Sequence, residues 1–388
     1  MDPIVIVSAA RTPLGAFSGK FKNTSTVDLG ATVIKKVTED IKENIDSVYM
    51  GCVLPAGLGQ SPARQAALKA GMDKSTNCVN VNKICGSGMA SIMFAKNAIL
   101  AGENEIVVAG GMENMTRAPY LLDKARLGYR YGDGKIIDHM VMDGLLDAYG
   151  KCVMGAYAEE TAEEYGFTRD DQDQFALNSF LKARKAIEQG YMKNEIAPTT
   201  IKERKGDEIV DTDEAPFSVD LEKMPKLRPA FKEGGTITAA SASSIADGAA
   251  AMVLMKESKA KQLGLIPLAR IVAQGSYSQE PNRFTTAPIG AIKKALEKSN
   301  WALKDVDVFE INEAFAVVAM AAIKSCDIDP EKVNIFGGAC ALGHPLGASG
   351  ARIIVTLLNA MKLQNAKRGL ATLCVGGGEG VAMTLERY

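Results

Sequence analysis

Histidine is nearly absent: His139 and His344 are the only two in 388 residues. Any imidazole chemistry must therefore come from one of two places. Seven cysteines occur, an odd number with no Cys-x-x-Cys spacing. That pattern excludes a disulfide framework and gives no zinc site. An excess of one charge is lacking too. The formal net charge is -1, from 45 basic and 46 acidic residues, which leaves no basic footprint for nucleic acid. No apolar run reads as long enough to span a membrane. Residues 1–7 enter a strand pattern at once, without a basic leader or an apolar h-region, and Leu385-Glu386-Arg387-Tyr388 is not a peroxisomal address. Free thiols suit a reducing compartment. The expectation is a cytoplasmic protein with no metal, membrane or nucleic-acid partner.

What is present is an ordinary globular composition, 47% apolar and 23% charged, long enough for two or three core-bearing units. Glycine, at 37 residues, clusters rather than scatters. The chain is organised around Val81-Asn82-Lys83-Ile84-Cys85-Gly86-Ser87-Gly88-Met89. Residues 77–81 read as a buried strand, and residues 89–100 as a mostly buried helix. Cys85 then lies in the turn between them, at the positive end of a helix dipole, where a lowered thiol pKa is expected. An inert core cysteine is the competing reading.

Residues 4–8, 46–52 and 105–111 read as further strands, and 26–44 and 61–70 as helices, which is an α/β alternation. Residues 112 to about 236 break that pattern and read as an excursion over the core. Within it Thr168 and Asp171 are spaced to cap a helix at 170–189. The alternation resumes with strands at 249–255, 269–273, 306–311, 333–338, 370–375 and 380–386. Helices are expected at 289–298, from Asn312 to about residue 325, and at 348–362. Two similar halves are the simplest account.

His344 lies in Gly337-Gly338-Ala339-Cys340-Ala341-Leu342-Gly343-His344-Pro345-Leu346-Gly347-Ala348-Ser349-Gly350, on a tight loop before a helix. Cys374 ends a strand ahead of Gly376-Gly377-Gly378. It is either a core residue or a second thiol for proton transfer. Asn312 is either a helix N-cap or the holder of a site water. Gly86-Ser87-Gly88-Met89-Ala90-Ser91 misses the third glycine of a dinucleotide fingerprint. Cys340 and His344 have no further ligands at metal spacing.

These motifs, with Gly110-Gly111-Met112-Glu113-Asn114-Met115 and Asn312-Glu313-Ala314-Phe315, stand in the order found in the thiolases, which the chain resembles from Ile4 to Glu386. The resemblance implies an α/β thiolase fold: two βαβαβαββ halves stacked as α-β-α-β-α layers with an inserted loop domain. The implied division is 1–117 plus 246–266, 118–245 and 267–388. By residue matching, Cys85 is the nucleophile, Cys374 the second acid/base, and His344 and Asn312 the other site groups. The N–H of Gly376 helps form an oxyanion hole. Leu145, Met154, Phe231, Ser243 and Phe315 fall at positions lining the pantetheine tunnel. The implied reaction is the reversible condensation of two acetyl-CoA into acetoacetyl-CoA and CoA. Coenzyme A is substrate and product, no resident cofactor is implied, and the assembly is a homodimer or homotetramer.

The chain departs from the family pattern at several places. Val153 stands where His is usual, Ser241 and Ala246 where Asn is, and Glu379 where an apolar residue is common; Phe284 would narrow the acyl pocket. Alternatives are a degradative 3-ketoacyl-CoA thiolase of broader chain length, a decarboxylating ketoacyl synthase, and a silent CoA- or lipid-binding relative. Lys202, Arg204 and Lys205 read either as contacts for the CoA phosphates or as a solvated face.

Overall fold

The computed structural model describes residues 2–203 and 206–388. Arg204 and Lys205 lie outside them. Strand β1 (Ile4–Arg11) is followed by α1 (Thr26–Thr38), β2 (Ser47–Gly51), α2 (Pro62–Lys69), β3 (Asn77–Val81), α3 (Ser87–Ala101) and β4 (Ile106–Asn114). Strand β5 (Ala246–Lys256) closes this half, in the order β3-β2-β4-β5-β1. Pairing is parallel among β3, β2 and β4 and antiparallel from β4 onward. The chain between β4 and β5 is the excursion, which holds α4 (Met154–Tyr165) and α5 (Arg169–Glu188). Thr168 and Asp171 form the expected reciprocal cap on α5.

The second half repeats the first. Strand β6 (Ala269–Ser278) is followed by α6 (Ala287–Ser299), β7 (Val308–Ile311), α7 (Ala316–Cys326), α8 (Leu346–Leu363), β8 (Arg368–Val375) and β9 (Glu379–Glu386). Its order is β6-β9-β8-β7, parallel at β7/β8 and antiparallel elsewhere. The two sheets join edge to edge where Val5 and Ile6 face Arg270 and Ala269.

Alternation along the strands builds the layers. In β4, Val107 and Ala109 point to a core shared with Met89 and Ile92 of α3 and Ile353, Ile354 and Leu357 of α8. Their neighbours Ile106 and Val108 point the other way, to Val33 and Ile34 of α1 and Ala66 of α2. In the second half Phe309, Ile311 and Leu370 pack on Ile292 of α6 and Ala319 of α7. Helices α3 and α8 thus form a central layer between two sheets, each sheet covered outside by its own helix pair.

Five expectations are corrected. Strand β3 is not buried: it is the edge of the sheet and Val79 is 46% exposed. Residues 333–338 are not a strand. Only Val333 bridges, to Phe309, because Asn334 takes φ +46 and its amide side chain bonds both N–H and C=O of Ile311, each at 2.8 Å. Helix α1 stops at Thr38, and α7 begins at Ala316 rather than Asn312. Finally, residues 84–101 do reach a mean hydropathy of 1.3 over 18 residues. They do so because α3 is packed inside the central layer.

The excursion is clamped by Arg11, which is fully buried. Its Nε donates to Glu195 at 2.5 Å and its two terminal nitrogens to Asp213 at 2.7 and 2.8 Å. Glu195 also accepts from Thr356 and Asn359 of α8. Removing the cation would strand two carboxylates away from water. Arg11→Met is therefore expected to lower unfolding stability by about 3–5 kcal/mol, read from the urea midpoint; an unchanged midpoint would show that the clamp contributes nothing.

Candidate active site

Cys85 sits where β3 turns into α3. The Asn82 side chain accepts the N–H of Ile84 at 3.0 Å; the Ser87 hydroxyl accepts the N–H of Lys83 at 2.8 Å and donates to the Ile84 carbonyl at 2.6 Å. The turn needs one residue in an unusual backbone conformation. The structure places it at Ile84, a β-branched residue at φ +46, whereas Gly86 has φ -79. Such a conformation costs on the order of 1–3 kcal/mol and is held by its surroundings. Gly86 answers to space instead: a Cβ there would lie 2.8 Å from the Val375 side chain.

Burial pushes the Cys85 thiol up to about 11. The N–H groups of Gly376 and of Cys85 itself pull it back, and the charge of Glu113 adds to the rise. The lowered value expected from the helix terminus does not appear, because desolvation of a thiolate outweighs it. At neutral pH the sulfur is a thiol and needs a base. Cys374 is fully buried at the end of β8, and burial raises it well above the ordinary thiol value, with Cys85 adding to the rise. The two sulfurs are close enough to feel each other's charge.

His344 is buried, and its N–H donates to the Ser244 carbonyl at 2.9 Å. Its Nδ1 lies 2.5 Å from the Ser349 hydroxyl. That hydroxyl donates to the Pro345 carbonyl at 2.9 Å, so towards the ring it can only accept. Nδ1 therefore carries the proton and Nε2 the lone pair. Nε2 is buried without a partner among the described residues. Burial, then the positive charge of Arg352, lowers the imidazole to about 3, so it is neutral at physiological pH and its Nε2 lone pair is free. Leu346, two residues on, packs in one apolar cluster with Cys85 and Leu145.

Asn312 is also buried. Its Oδ1 accepts from Arg352 at 3.4 Å, and Arg352 pairs with Glu310 at 3.3 Å. With its oxygen occupied, Asn312 is left with an Nδ2 that has no partner among the described residues. It is not an N-cap. Arg352 thus touches Asn312 and acts on His344. Around Cys374, Phe315, Phe284, Phe231 and Met154 form one cluster. Phe315 meets Phe231 edge-on at 5.6 Å and Phe284 at 6.4 Å. Met154 also reaches within 3.5 Å of the position a Cβ would take on Gly376. Ser243 joins through its backbone, donating to Ala314 at 3.0 Å. Val153 opens α4 without a side-chain cap and is 39% exposed.

Sequence reasoning missed Ser349, Arg352 and Glu113. The first two stand five and eight residues after His344, one and two helical turns away on the same segment. Glu113 accepts N–H groups of Val53 (2.9 Å), Leu54 (3.2 Å) and Gly347 (2.9 Å) and ties the histidine segment to the first half. Burial pushes its carboxyl up to about 7. His139 is structural: it lies 2.5 Å from Asp143 and accepts the N–H of Ala56. No metal-binding cluster of His, Cys, Asp or Glu occurs among the described residues. A cavity of about 890 Å³ lined by Lys182, Lys185, Phe336 and Lys367 lies at the opposite end of β8 from Cys374. None of the candidate residues lines it.

Two family models cover the chain: the thiolase N-terminal domain over residues 4–258 and the thiolase C-terminal domain over residues 265–387. An acetyl-CoA acetyltransferase of Escherichia coli is 51% identical over 392 residues, and one of Cupriavidus necator 50% over 392. Both alignments cover all of each chain. A crystal structure of the Bacillus anthracis acetyl-CoA acetyltransferase superposes with a TM-score of 0.97 at 42% identity, covering 100% of this chain and 99% of that one.

The electrostatics make one direct claim. Alkylation of Cys85 by iodoacetamide, read by peptide mass, should climb about tenfold per pH unit from 7 to beyond 9.5, since only the thiolate reacts. A plateau by pH 9 would show that the thiol is not raised.

Proposed function

The chain belongs to the thiolase family of acyltransferases, and on that premise we propose that it condenses two acetyl-CoA into acetoacetyl-CoA and CoA, reversibly, through an acetyl group carried on Cys85. The observations that carry this reading are two buried nitrogens without a partner among the described residues, His344 Nε2 and Asn312 Nδ2, and the charge of Cys85 acting on Cys374. Buried polar atoms are normally satisfied. A lone pair and an amide N–H left open together suit a substrate oxygen or a bound water.

In the first half-reaction, His344 Nε2 takes the Cys85 proton and the sulfur attacks the thioester carbonyl. The N–H groups of Cys85 and Gly376, both aimed at that sulfur, are placed to receive the oxyanion. The bond to CoA sulfur breaks. Cys374, protonated at rest because its pKa is raised, gives its proton to the departing thiolate and is left as a thiolate itself. In the second half-reaction that thiolate removes a methyl proton from an incoming acetyl-CoA. His344, now protonated, and the Asn312 amide stabilise the enolate oxygen. The carbanion attacks the acetyl carbonyl on Cys85, the Cys85–acyl bond breaks to give acetoacetyl-CoA, and the departing Cys85 thiolate takes its proton back from His344. Such a covalent route gives ping-pong kinetics.

Phe315, Phe284 and Phe231 share one apolar cluster with Cys374, and so bulky a set of rings favours a short acyl group over a degradative range. Leu145, Met154 and Ser243 complete the proposed pantetheine wall. A homodimer or homotetramer is in keeping with the open β3 edge, and the described cysteines, all unpaired, suit the cytoplasm.

Cys85→Ala should lose thiolysis of acetoacetyl-CoA by at least ~1,000-fold. Across 3-ketoacyl-CoA lengths, wild-type kcat/KM should peak at four carbons and fall at least about tenfold by eight. Retained activity in Cys85→Ala would remove the nucleophile, and a profile rising with length would favour the degradative reading.

A further inference from the structure

The two N–H donors aimed at Cys85 come from different halves of the molecule. One is the residue's own, in the turn before α3. The other belongs to Gly376, at the tip of the β8–β9 hairpin. That tip has little of its own to anchor it beyond the Gly378 carbonyl, which accepts the N–H of Gln279 at 2.9 Å. Gly376, Gly377 and Gly378 have no side chains, and the latter two take φ +91 and +86. Yet an oxyanion site tolerates a misplacement of only a few tenths of an ångström in its donors.

Three contacts step along the seam between the turns. Val375 presses on Gly86, so closely that a Cβ there would lie 2.8 Å from the valine. Ile84 lies 3.5 Å from where a Gly376 Cβ would be. Lys83 forms an ion pair with Glu379. Both ends of this pair are rigidly mounted. Lys83 has its N–H bound to Ser87. Glu379 is the first residue of β9 and faces Val375 across the hairpin base. The side chains are 28% and 34% exposed, so the pair is of little weight for stability. Neither charge has another partner among the described residues. Glu379 is also one of the positions at which the chain departs from the thiolase pattern.

We propose that the Lys83–Glu379 ion pair is a positioning element: it ties the hairpin tip to the nucleophile turn and so holds the Gly376 N–H on the reacting carbonyl oxygen. The proposal rests on Cys85 as nucleophile. It assigns the pair no contact with substrate and predicts an effect on the acyl-transfer step rather than on acetyl-CoA binding.

The test is kinetic, on the full-length protein. Glu379→Gln and Lys83→Met should each lower kcat, and the burst rate of CoA release on acylation, about tenfold, with KM for acetyl-CoA within about twofold. The double variant should be no slower than either single one, since both remove the same tie. Exchanging the charges, K83E with E379K, should recover most of the loss. Wild-type kcat should also fall between 0.05 and 1 M NaCl, about threefold, as salt screens the pair, while Glu379→Gln stays flat. Wild-type kcat for Glu379→Gln, or single effects that multiply in the double variant, would overturn the proposal. If Glu379→Gln fails to fold, Lys83→Met and the exchange decide it. Failure of the underlying reading shows separately, as thiolysis retained by Cys85→Ala.

Discussion

Helices α3 and α8 meet backbone to backbone, and the site follows from that contact. A Cβ on Gly88 would lie 2.7 Å from the Ala351 nitrogen, and one on Gly350 would lie 2.4 Å from the Met89 nitrogen. No side chain larger than hydrogen fits at either place. The contact lies in the first turn or two of each helix, so both helices begin at the same end of the central layer. Cys85 precedes one start and His344 the other. The parallel strands beside them end at the same level, which brings in Asn312 after β7 and Cys374 at the end of β8. The four candidate groups thus come from four elements that end around one helix crossing.

Burial at that crossing then sets the chemistry. Desolvation raises both thiols and lowers the imidazole, so in the resting enzyme all three are neutral. Charge arises only when a substrate arrives to share it. The supporting groups are arranged accordingly: Ser349 fixes the ring tautomer, Arg352 orients the Asn312 amide, and Glu113 ties the first half to the segment bearing the ring. Arg352 does two things from one place, since its charge also keeps His344 unprotonated.

Most of the fold was legible because each half alternates strand and helix with little ambiguity. Misreadings came where a side chain replaced a backbone partner. Asn334 uses its amide to satisfy Ile311, a substitution no periodicity announces, and the predicted strand after it does not form. Asn312 looked like a helix start because Asn caps helices, but its amide was already committed to Arg352, forty residues on. Cys85, His344 and Cys374 stood out by their surroundings in the chain. Their pKa values did not, because a sequence shows a helix terminus more readily than the absence of water. The supporting residues were hidden for a similar reason: Glu113 and Arg352 matter through contacts between segments far apart in the chain.

The repeat is imperfect at one point, and that flaw has a use. In the first half an unbroken strand delivers the chain to its helix through residues 82–86, a path so short that the sulfur must stand directly on the seam. In the second half the corresponding strand has dwindled to Val333, and residues 334–345 take a longer, mostly buried path with a helical turn at Ala339–Leu342 before α8. That path lets an imidazole approach from the flank. Perfect internal symmetry would have repeated the same short turn on both sides; the lost strand is what allows the two halves to offer unlike side chains, a thiol from one and an imidazole from the other.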